Sequence, residues 1–424
     1  MNNVQSFIDR QLGNYNWQNY DTAIRKLRCK VGDDHTHIST DNSDESGEAP
    51  VFACKFAQTA GNEHILALAN EEGQIAIHNT EHNVNGETDC YGKTAHYNAI
   101  FDLAWMMGQM KLVSVSGDHT ARLFDVSRSD IIEERIFHGH TRSVKTVAFR
   151  KDDPAVFATG ARDGAIFVWD TRANYNLSYI TQPDRIISNS HNIPNTPGSG
   201  SKFKKRLVPL VTNVSGANSV TGLVFQNDMS LISCGAGDGA IKVWDLRKNY
   251  GVNKREPLPK CVLPYTGHTT RNGFTNLLVD RSGVKLYANC MDNTIYCYNI
   301  STYQPQPIMT YTGHYNSSFY VKSSLSVDGN YLLSGSSDQN AYIWNTNKST
   351  PLVSLVGHSA EVTCVAWCQK GGIKLVTCSD DMKHKIWQVY DEQSCDDWEV
   401  KGRGSAETYV DYHTAQSEKT VTYL

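Results

Sequence analysis

The stretch "IKVWDLRKNY" at residues 241–250 decides the fold. Apolar and polar residues alternate through Ile-Lys-Val-Trp, the period of a strand with one face buried. Six other segments end in the same way: "GQIAIHNT", "HTARLFDV", "GAIFVWDT", "NTIYCYNI", "QNAYIWNT" and "KHKIWQV". Their shared penultimate position holds His78, Phe124, Trp169, Trp244, Tyr298, Trp344 and Trp387, at steps of 46, 45, 75, 54, 46 and 43 residues. Six residues before each lies an acid: Glu72, Asp118, Asp163, Asp238, Asp292, Asp338 and Asp381. Further upstream stand His96, His140, His268, His314 and His358, separated from their acids by 22, 23, 24, 24 and 23 residues. Five concordant spacings identify a repeat, and its period is that of a small antiparallel sheet used many times.

These registers resemble those of WD-repeat proteins, and the reading is an all-β, seven-bladed WD-repeat β-propeller with polar N- and C-terminal extensions. A four-stranded blade is too small to bury both faces alone, so blades stack radially and close into a ring. The resemblance implies a hydrogen-bonded set of His, Ser or Thr, Asp and Trp in each complete blade. Three blades supply all four residues: His140, Thr159, Asp163 and Trp169; His314, Ser334, Asp338 and Trp344; His358, Thr377, Asp381 and Trp387. Phe124 leaves the second blade incomplete, and Ala288 and Tyr298 leave the fifth incomplete. "GAGDGA" at 235–240 is followed by a strand rather than a helix, so it reads as a tight turn, not a nucleotide loop. There is no G-x-S-x-G, H-E-x-x-H or Walker A motif, and no catalytic residue is assigned.

The propeller is expected to span 51–390, after an N-terminal extension and linker at 1–50 and before a polar tail at 391–424. "TAIRKLRC" at 22–29 is a candidate outermost strand for the last blade. The tail shows no apolar periodicity and reads as disordered. The long third step contains an insertion loop at about 192–215, rich in Pro, Gly, Ser and Asn. "NSH" ending at His191 looks like a worn Gly-His, 47 residues before Asp238. Lys202, Lys204, Lys205 and Arg206 in that loop form either a nuclear-localisation or phosphate-contacting patch or a merely solvated charge cluster.

Bulk composition excludes several classes. Charged residues make up 20% and the net charge is -4, so nothing suggests general polyanion binding or sequence-specific nucleic-acid recognition. No run approaches a membrane span, and the N-terminus lacks a secretory pattern. Eleven cysteines with no CxxC, several in apolar runs (Cys290, Cys297, Cys364, Cys378), suggest reduced thiols in the cytosol or nucleus. Cys364 and Cys368 are the closest approach to a metal spacing, and no metal or cofactor is expected.

Only two segments end in W-D-x-R: "FVWDTR" at 167–172 and "IKVWDLRKNY". The Trp-Asp pair ends a third strand, so Arg172 and Arg247 emerge on one rim of adjacent blades, opposite the Gly-His face. Paired W-D-x-R motifs resemble those of WD-repeat substrate receptors of cullin-four RING ubiquitin ligases. "LANEEGQIAIHNTE" (68–81), "AHYNAIFDLAW" (95–105) and "FYVKSSLSVDGNYLLSGSSDQNAYIW" (319–344) are similar to the denticleless type, which acts in replication-coupled degradation. The resemblance implies that Arg172 and Arg247 dock on the damaged-DNA-binding adaptor, with Trp169, Asp170, Trp244 and Asp245 shaping the strand ends. It further implies a non-catalytic, nuclear subunit that presents replication and cell-cycle proteins bound to the DNA-loaded sliding clamp. A clamp motif of the form Q-x-x-aliphatic-x-x-aromatic-aromatic is not formed by "QSEKTVTYL", where Lys419 takes the aliphatic place. The alternative is a chromatin- or peptide-binding WD-repeat scaffold unconnected with ubiquitin, which would work through the central pore.

Overall fold

The computed structural model of the chain describes residues 17–30, 34–36, 49–81, 90–127, 130–173, 180–191, 218–250, 257–267, 273–369, 372–390 and 403–410. Its strands form antiparallel groups in sequence order. The first group is Val51–Phe56, Ile65–Asn70, Gln74–Asn79 and Cys90–Thr94. The second is Ile100–Trp105, Lys111–Ser116, Thr120–Asp125 and Ile132–His138, with Ile180–Thr181 added in parallel at its outer edge. The third is Val144–Phe149, Val156–Ala161, Ile166–Asp170 and Arg185–Ile187. The fourth is Val220–Asn227, Ser230–Gly235, Ala240–Asp245 and Cys261–Pro264, and the fifth runs from Phe274–Val279 to Met309–Tyr311.

The first strand of each group packs beside the first strand of the next. Val51–Phe56 lies against Ile100–Trp105, and the series continues through Val144–Phe149, Val220–Asn227, Phe274–Val279, Ser323–Leu325 and Val362–Trp367. Val362–Trp367 returns to Val51–Phe56, so the ring closes. Thr363 Oγ1 donates to the Val51 carbonyl at 3.0 Å across that seam. Lys322 Nζ reaches Asp102 at 3.0 Å, joining groups that are not neighbours. Buried tryptophans Trp169, Trp244, Trp344 and Trp387 fill the spaces between sheets.

The repeat acids owe their register to a turn. The residue after each acid has positive φ: Gly73, His119, Gly164, Gly239, Asn293, Gln339 and Met382, between 58° and 80°. That left-handed step links second and third strands, and glycine takes it without a Cβ clash. The preceding aspartate holds the turn by accepting from the amide two residues on, as in Ala165 N to Asp163 Oδ1 at 2.9 Å and Lys383 N to Asp381 Oδ1 at 3.1 Å. The short side chain is the reason an acid recurs there.

The chain ends differ from the sequence reading. A helix, Trp17–Arg25, precedes the donated strand, which is only Leu27–Arg28. Ile24 and Leu27 are buried in the core, and Tyr20 stacks on Tyr331 at 5.5 Å. Leu27–Arg28 pairs with Lys383–Val389, as does Asp34–Thr36, which falls within the segment read as a linker. Residues 403–410 of the supposedly disordered tail are ordered, and Ser405–Thr408 is a strand between Val353–Val356 and Leu27–Arg28. That insertion fuses the last two groups into one ten-stranded sheet, so the hydrogen-bonded sheets do not map one-to-one onto the seven repeats read from the sequence. The insertion loop with Lys202, Lys204, Lys205 and Arg206 lies outside the described residues. Among the described residues no helix is long and apolar enough to cross a membrane.

Removing residues 403–424 leaves Val353–Val356 as a bare edge. Losing that handful of strand hydrogen bonds should lower stability by about 2–4 kcal/mol. Chemical denaturation and light scattering should show an earlier midpoint and self-association.

Candidate docking rim and the hydrogen-bond sets behind it

Each tryptophan of a complete set is fixed by one hydroxyl. Trp169 Nε1 donates to Thr159 Oγ1 at 2.9 Å, and the same oxygen lies 2.8 Å from His140 Nε2. Asp163 is held ionised and a carboxylate only accepts, so His140 donates from Nδ1 to Asp163 Oδ2 at 3.1 Å. With its ring proton on Nδ1, His140 offers Nε2 as the acceptor for the Thr159 hydroxyl. Burial alone would raise the Asp163 carboxyl; hydrogen bonding and charge attraction from His140 outweigh it and hold the carboxyl below its ordinary range. His358, Thr377, Asp381 and Trp387 repeat this geometry, with contacts of 2.9, 2.8 and 2.9 Å.

The fourth group contains a set that the sequence reading missed. His191 Nδ1 lies 2.8 Å from Asp238, His191 Nε2 lies 2.7 Å from Ser233 Oγ, and Trp244 donates to Ser233 Oγ at 2.8 Å. The inserted chain hid the spacing, but "NSH" supplied the histidine. His96, Ser114 and Asp118 form the same chain at 2.6 and 2.8 Å without an indole, because Phe124 stands in its place.

The set expected at His314, Ser334, Asp338 and Trp344 does not assemble. His314 Nε2 turns to Asn289 Oδ1 at 3.2 Å, and its Nδ1 has no partner among the described residues. Burial pushes this imidazole down to about 4. Trp344 donates to the Thr312 carbonyl at 3.0 Å, and Asp338 accepts from the Tyr342 hydroxyl at 2.7 Å. Ser334 is engaged by Ser323 and Asn289. Nearby polar groups outcompete the repeat partners, and nothing in the spacing reveals them. In the fifth group Tyr265 donates to Asp292 at 2.8 Å.

The third strands of groups three and four carry the arginines to their ends. Arg172 Nε and Nη2 meet the two oxygens of Asp170 at 3.0 and 2.8 Å, and Nη2 also meets Asp153 at 2.9 Å. Arg247 grips Asp245 in the same fork, at 2.9 and 2.8 Å. These hydrogen bonds hold both carboxyls below their ordinary range and both guanidinium groups above theirs. The arginine side chains remain 61% and 68% exposed, and neither Nη1 has a partner among the described residues. An exposed pair of this kind adds little stability, but it holds the guanidinium in place with its Nη1 edge unengaged. Asp153 and Tyr250 were not foreseen: the Asp245 amide donates to the Tyr250 hydroxyl at 3.1 Å, while the Tyr250 ring stands edge-on to Trp244 at 5.5 Å. A cleft of about 560 Å³ runs from Met106 and Leu123 to Arg172, and another of about 450 Å³ joins Pro183 and Ile186 to Arg247 and Tyr250. Trp169, Asp170, Trp244 and Asp245 thus form one construction in two adjacent sheets.

Third strands start at the aspartate turns and end at these arginines, so the turns mark the opposite face. There Phe52 stacks on Tyr320 at 5.0 Å, Phe101 lies 6.1 Å from Phe52, and Lys145 Nζ sits 3.1 Å over Phe101. Burial, with the charges of Arg162 and Lys322, lowers the Lys145 amine to about 8. Asp380 is pushed up to about 6 by burial and by Glu361, Cys364 and Glu71. As for metals, Cys364 gathers with Cys54 and Cys378 rather than with Cys368, and His35, His78 and His384 form a second cluster.

A ring of small antiparallel sheets with a recurring His–hydroxyl–Trp set defines a WD-repeat protein. The family model for the WD domain, G-beta repeat, matches residues 132–170, 209–245, 305–345 and 349–388. The chain is 51% identical over 395 residues to Protein lethal(2)denticleless of Drosophila melanogaster, covering 92% of this chain and 51% of that protein. It is 44% identical over 374 residues to the Denticleless protein homolog of Homo sapiens, covering 87% and 50%. Against Denticleless protein homolog B of Xenopus laevis the identity is 42%, over 87% of this chain and 51% of the relative. The chain is similar to Denticleless proteins over most of its own length and spans about half the length of these relatives.

Two outcomes test this geometry. Thr159→Val leaves the His140 and Trp169 nitrogens unpaired in the core, each costing about 1–3 kcal/mol, readable as a shifted urea midpoint. Asp380 is harder to ionise in the folded chain, so between its unfolded value of 3.8 and about 6 it increasingly subtracts stability as pH rises. Asp380→Asn should therefore raise the melting temperature at pH 7.5, the gain vanishing near pH 4, as thermal melts at both pH values would reveal.

Proposed function

We propose that this chain is the non-catalytic substrate receptor of a cullin-four RING ubiquitin ligase, docked through Arg172 and Arg247 on the damaged-DNA-binding adaptor. The observation that carries the reading is the pair of exposed arginines on adjacent sheets, each holding the aspartate of its own W-D-x-R motif through Nε and Nη2 and leaving Nη1 without a partner among the described residues. The remaining guanidinium N–H groups suit the carboxylates and backbone carbonyls of a protein partner. Holding each fork before contact lowers the ordering entropy of docking. The cleft beside Arg247 gives that partner an apolar foothold at the exposed Ile186. On this reading the adaptor takes the arginine rim and leaves the aromatic face around Phe52, Phe101 and Tyr320 for substrate. That substrate is a replication or cell-cycle protein carried on the DNA-loaded sliding clamp, and the work takes place in the nucleus. Ubiquitin transfer falls to other subunits, since the repeat histidines and most repeat acids are engaged in turns and hydrogen bonds. The similarity to Denticleless proteins supports this reading.

Arg172→Ala together with Arg247→Ala should abolish co-purification of the adaptor while shifting the melting temperature by no more than a degree or two. Each truncation of a hot-spot arginine is worth about 2–4 kcal/mol of binding. Undiminished adaptor recovery from the double variant would remove the receptor reading and leave the peptide-binding scaffold.

A further inference from the structure

Four repeats end their third strand with tryptophan; the first has His78 there instead. His78 is fully buried, and its Nδ1 lies 3.1 Å from Nε2 of His384, a buried residue of Lys383–Val389. His35 joins them from Asp34–Thr36, the strand laid along Lys383–Val389, where it opposes His384 in register. Its ring stands edge-on to His78 at 4.5 Å and lies 4.9 Å from the ring of His384. One ring nitrogen from each imidazole lies within 4.8 Å of the other two.

We propose that His35, His78 and His384 form a three-imidazole site for a divalent transition metal, with zinc the ion that suits the set best. Zinc bound to imidazole at 2.0–2.1 Å in tetrahedral geometry separates neighbouring ligand nitrogens by about 3.3–3.4 Å. The His78–His384 pair already lies close to that separation. His35 is half-buried on a short strand, so its ring can swing inward by roughly an ångström to complete the trio. Its exposed side provides the entry path such a site requires and leaves a fourth position for water. The thiols Cys54, Cys364 and Cys378 are gathered as tightly, but they are sealed in a dry apolar seam with no such path. Alternation along Lys383–Val389 sends Lys383 and Lys385 to the other face of the strand from His384, away from the ion. The three ligands come from Gln74–Asn79 of the first group, from Lys383–Val389 of the last, and from the N-terminal strand Asp34–Thr36. A bound ion would therefore clasp the seam at which the ring closes.

The test uses the full chain. After equilibration with zinc and desalting, elemental analysis should find about one zinc per chain, the stoichiometry of a single three-histidine site. Cobalt(II) in its place should show ligand-field bands without sulfur-to-cobalt charge transfer. His35→Ala and His78→Gln should each lose the metal, while Cys364→Ser keeps it. Zinc should raise the melting temperature of the parent chain and not that of His35→Ala, which alters only a half-buried arm and so should still fold. Metal far below one equivalent in the parent chain, metal retained by His35→Ala, or a sulfur charge-transfer band would each overturn the proposal. In that event the 3.1 Å contact is an ordinary N–H···N hydrogen bond.

Discussion

A single hydroxyl oxygen, repeated around the ring, governs where everything else can sit. Thr159, Ser233 and Thr377 each accept from an indole and donate to an imidazole. Because the carboxylate can only accept, the histidine presents Nδ1–H to its aspartate, its Nε2 takes the hydroxyl proton, and the indole N–H fills a lone pair of the same oxygen. The aspartate in turn fixes the left-handed turn that begins the third strand. One polar connection thus determines the depth of the tryptophan, the start of the strand and, five or six residues later, the point where the strand leaves the ring. In an apolar interior such a network is favourable only when every member is satisfied. His314 shows the consequence of a missing link: its neighbours satisfy themselves elsewhere, and a buried nitrogen is left over.

Ring closure sets a second constraint. A propeller whose final sheet is made from one end of the chain can open like an untied loop, because nothing holds the last blade to an earlier part of the sequence. Here Leu27–Arg28 lies between Lys383–Val389 and Ser405–Thr408, so both ends of the described chain share one sheet. Opening that seam would separate strands far apart in sequence and expose the apolar cluster around Ile24, Leu27 and Trp387. The fused sheet distributes the closure over two repeats instead of one.

Much of this was legible because the repeat is written in fixed distances. Acid-to-aromatic spacing never varies, since a turn and one strand leave no room for insertion; even degenerate Glu72 and His78 keep it. Histidine-to-acid spacing is looser, because the segment before the first strand is free to lengthen. His191 therefore looked worn while forming a complete set. The two arginines stood out as an exception to the repeat, and exceptions to a structural pattern are where function is most visible. What could not be read was contact between distant segments: Asn289 taking His314, Asp153 bracing Arg172, Ser405–Thr408 joining a sheet, three histidines converging on one seam. Periodicity reports what a strand does with its own faces and is silent about the side chain brought to it by another blade.

The arginine rim can serve a partner because it stands apart from that internal logic. Trp169 and Trp244 are buried and bonded to hydroxyls; two residues beyond the neighbouring aspartates, Arg172 and Arg247 are mostly in water. The aspartate belongs to both worlds. Its backbone closes the strand, while its carboxylate receives the fork and also the amide of the arginine itself, at 2.8 Å in one case and 3.1 Å in the other. A local, exposed ion pair contributes little to folding, so the ring does not depend on it. Its worth is geometric: a flexible side chain is held extended before any partner arrives, and two such chains repeat one posture in adjacent sheets. Binding strength on that rim is therefore free to change without disturbing the hydroxyl network a few ångströms beneath it.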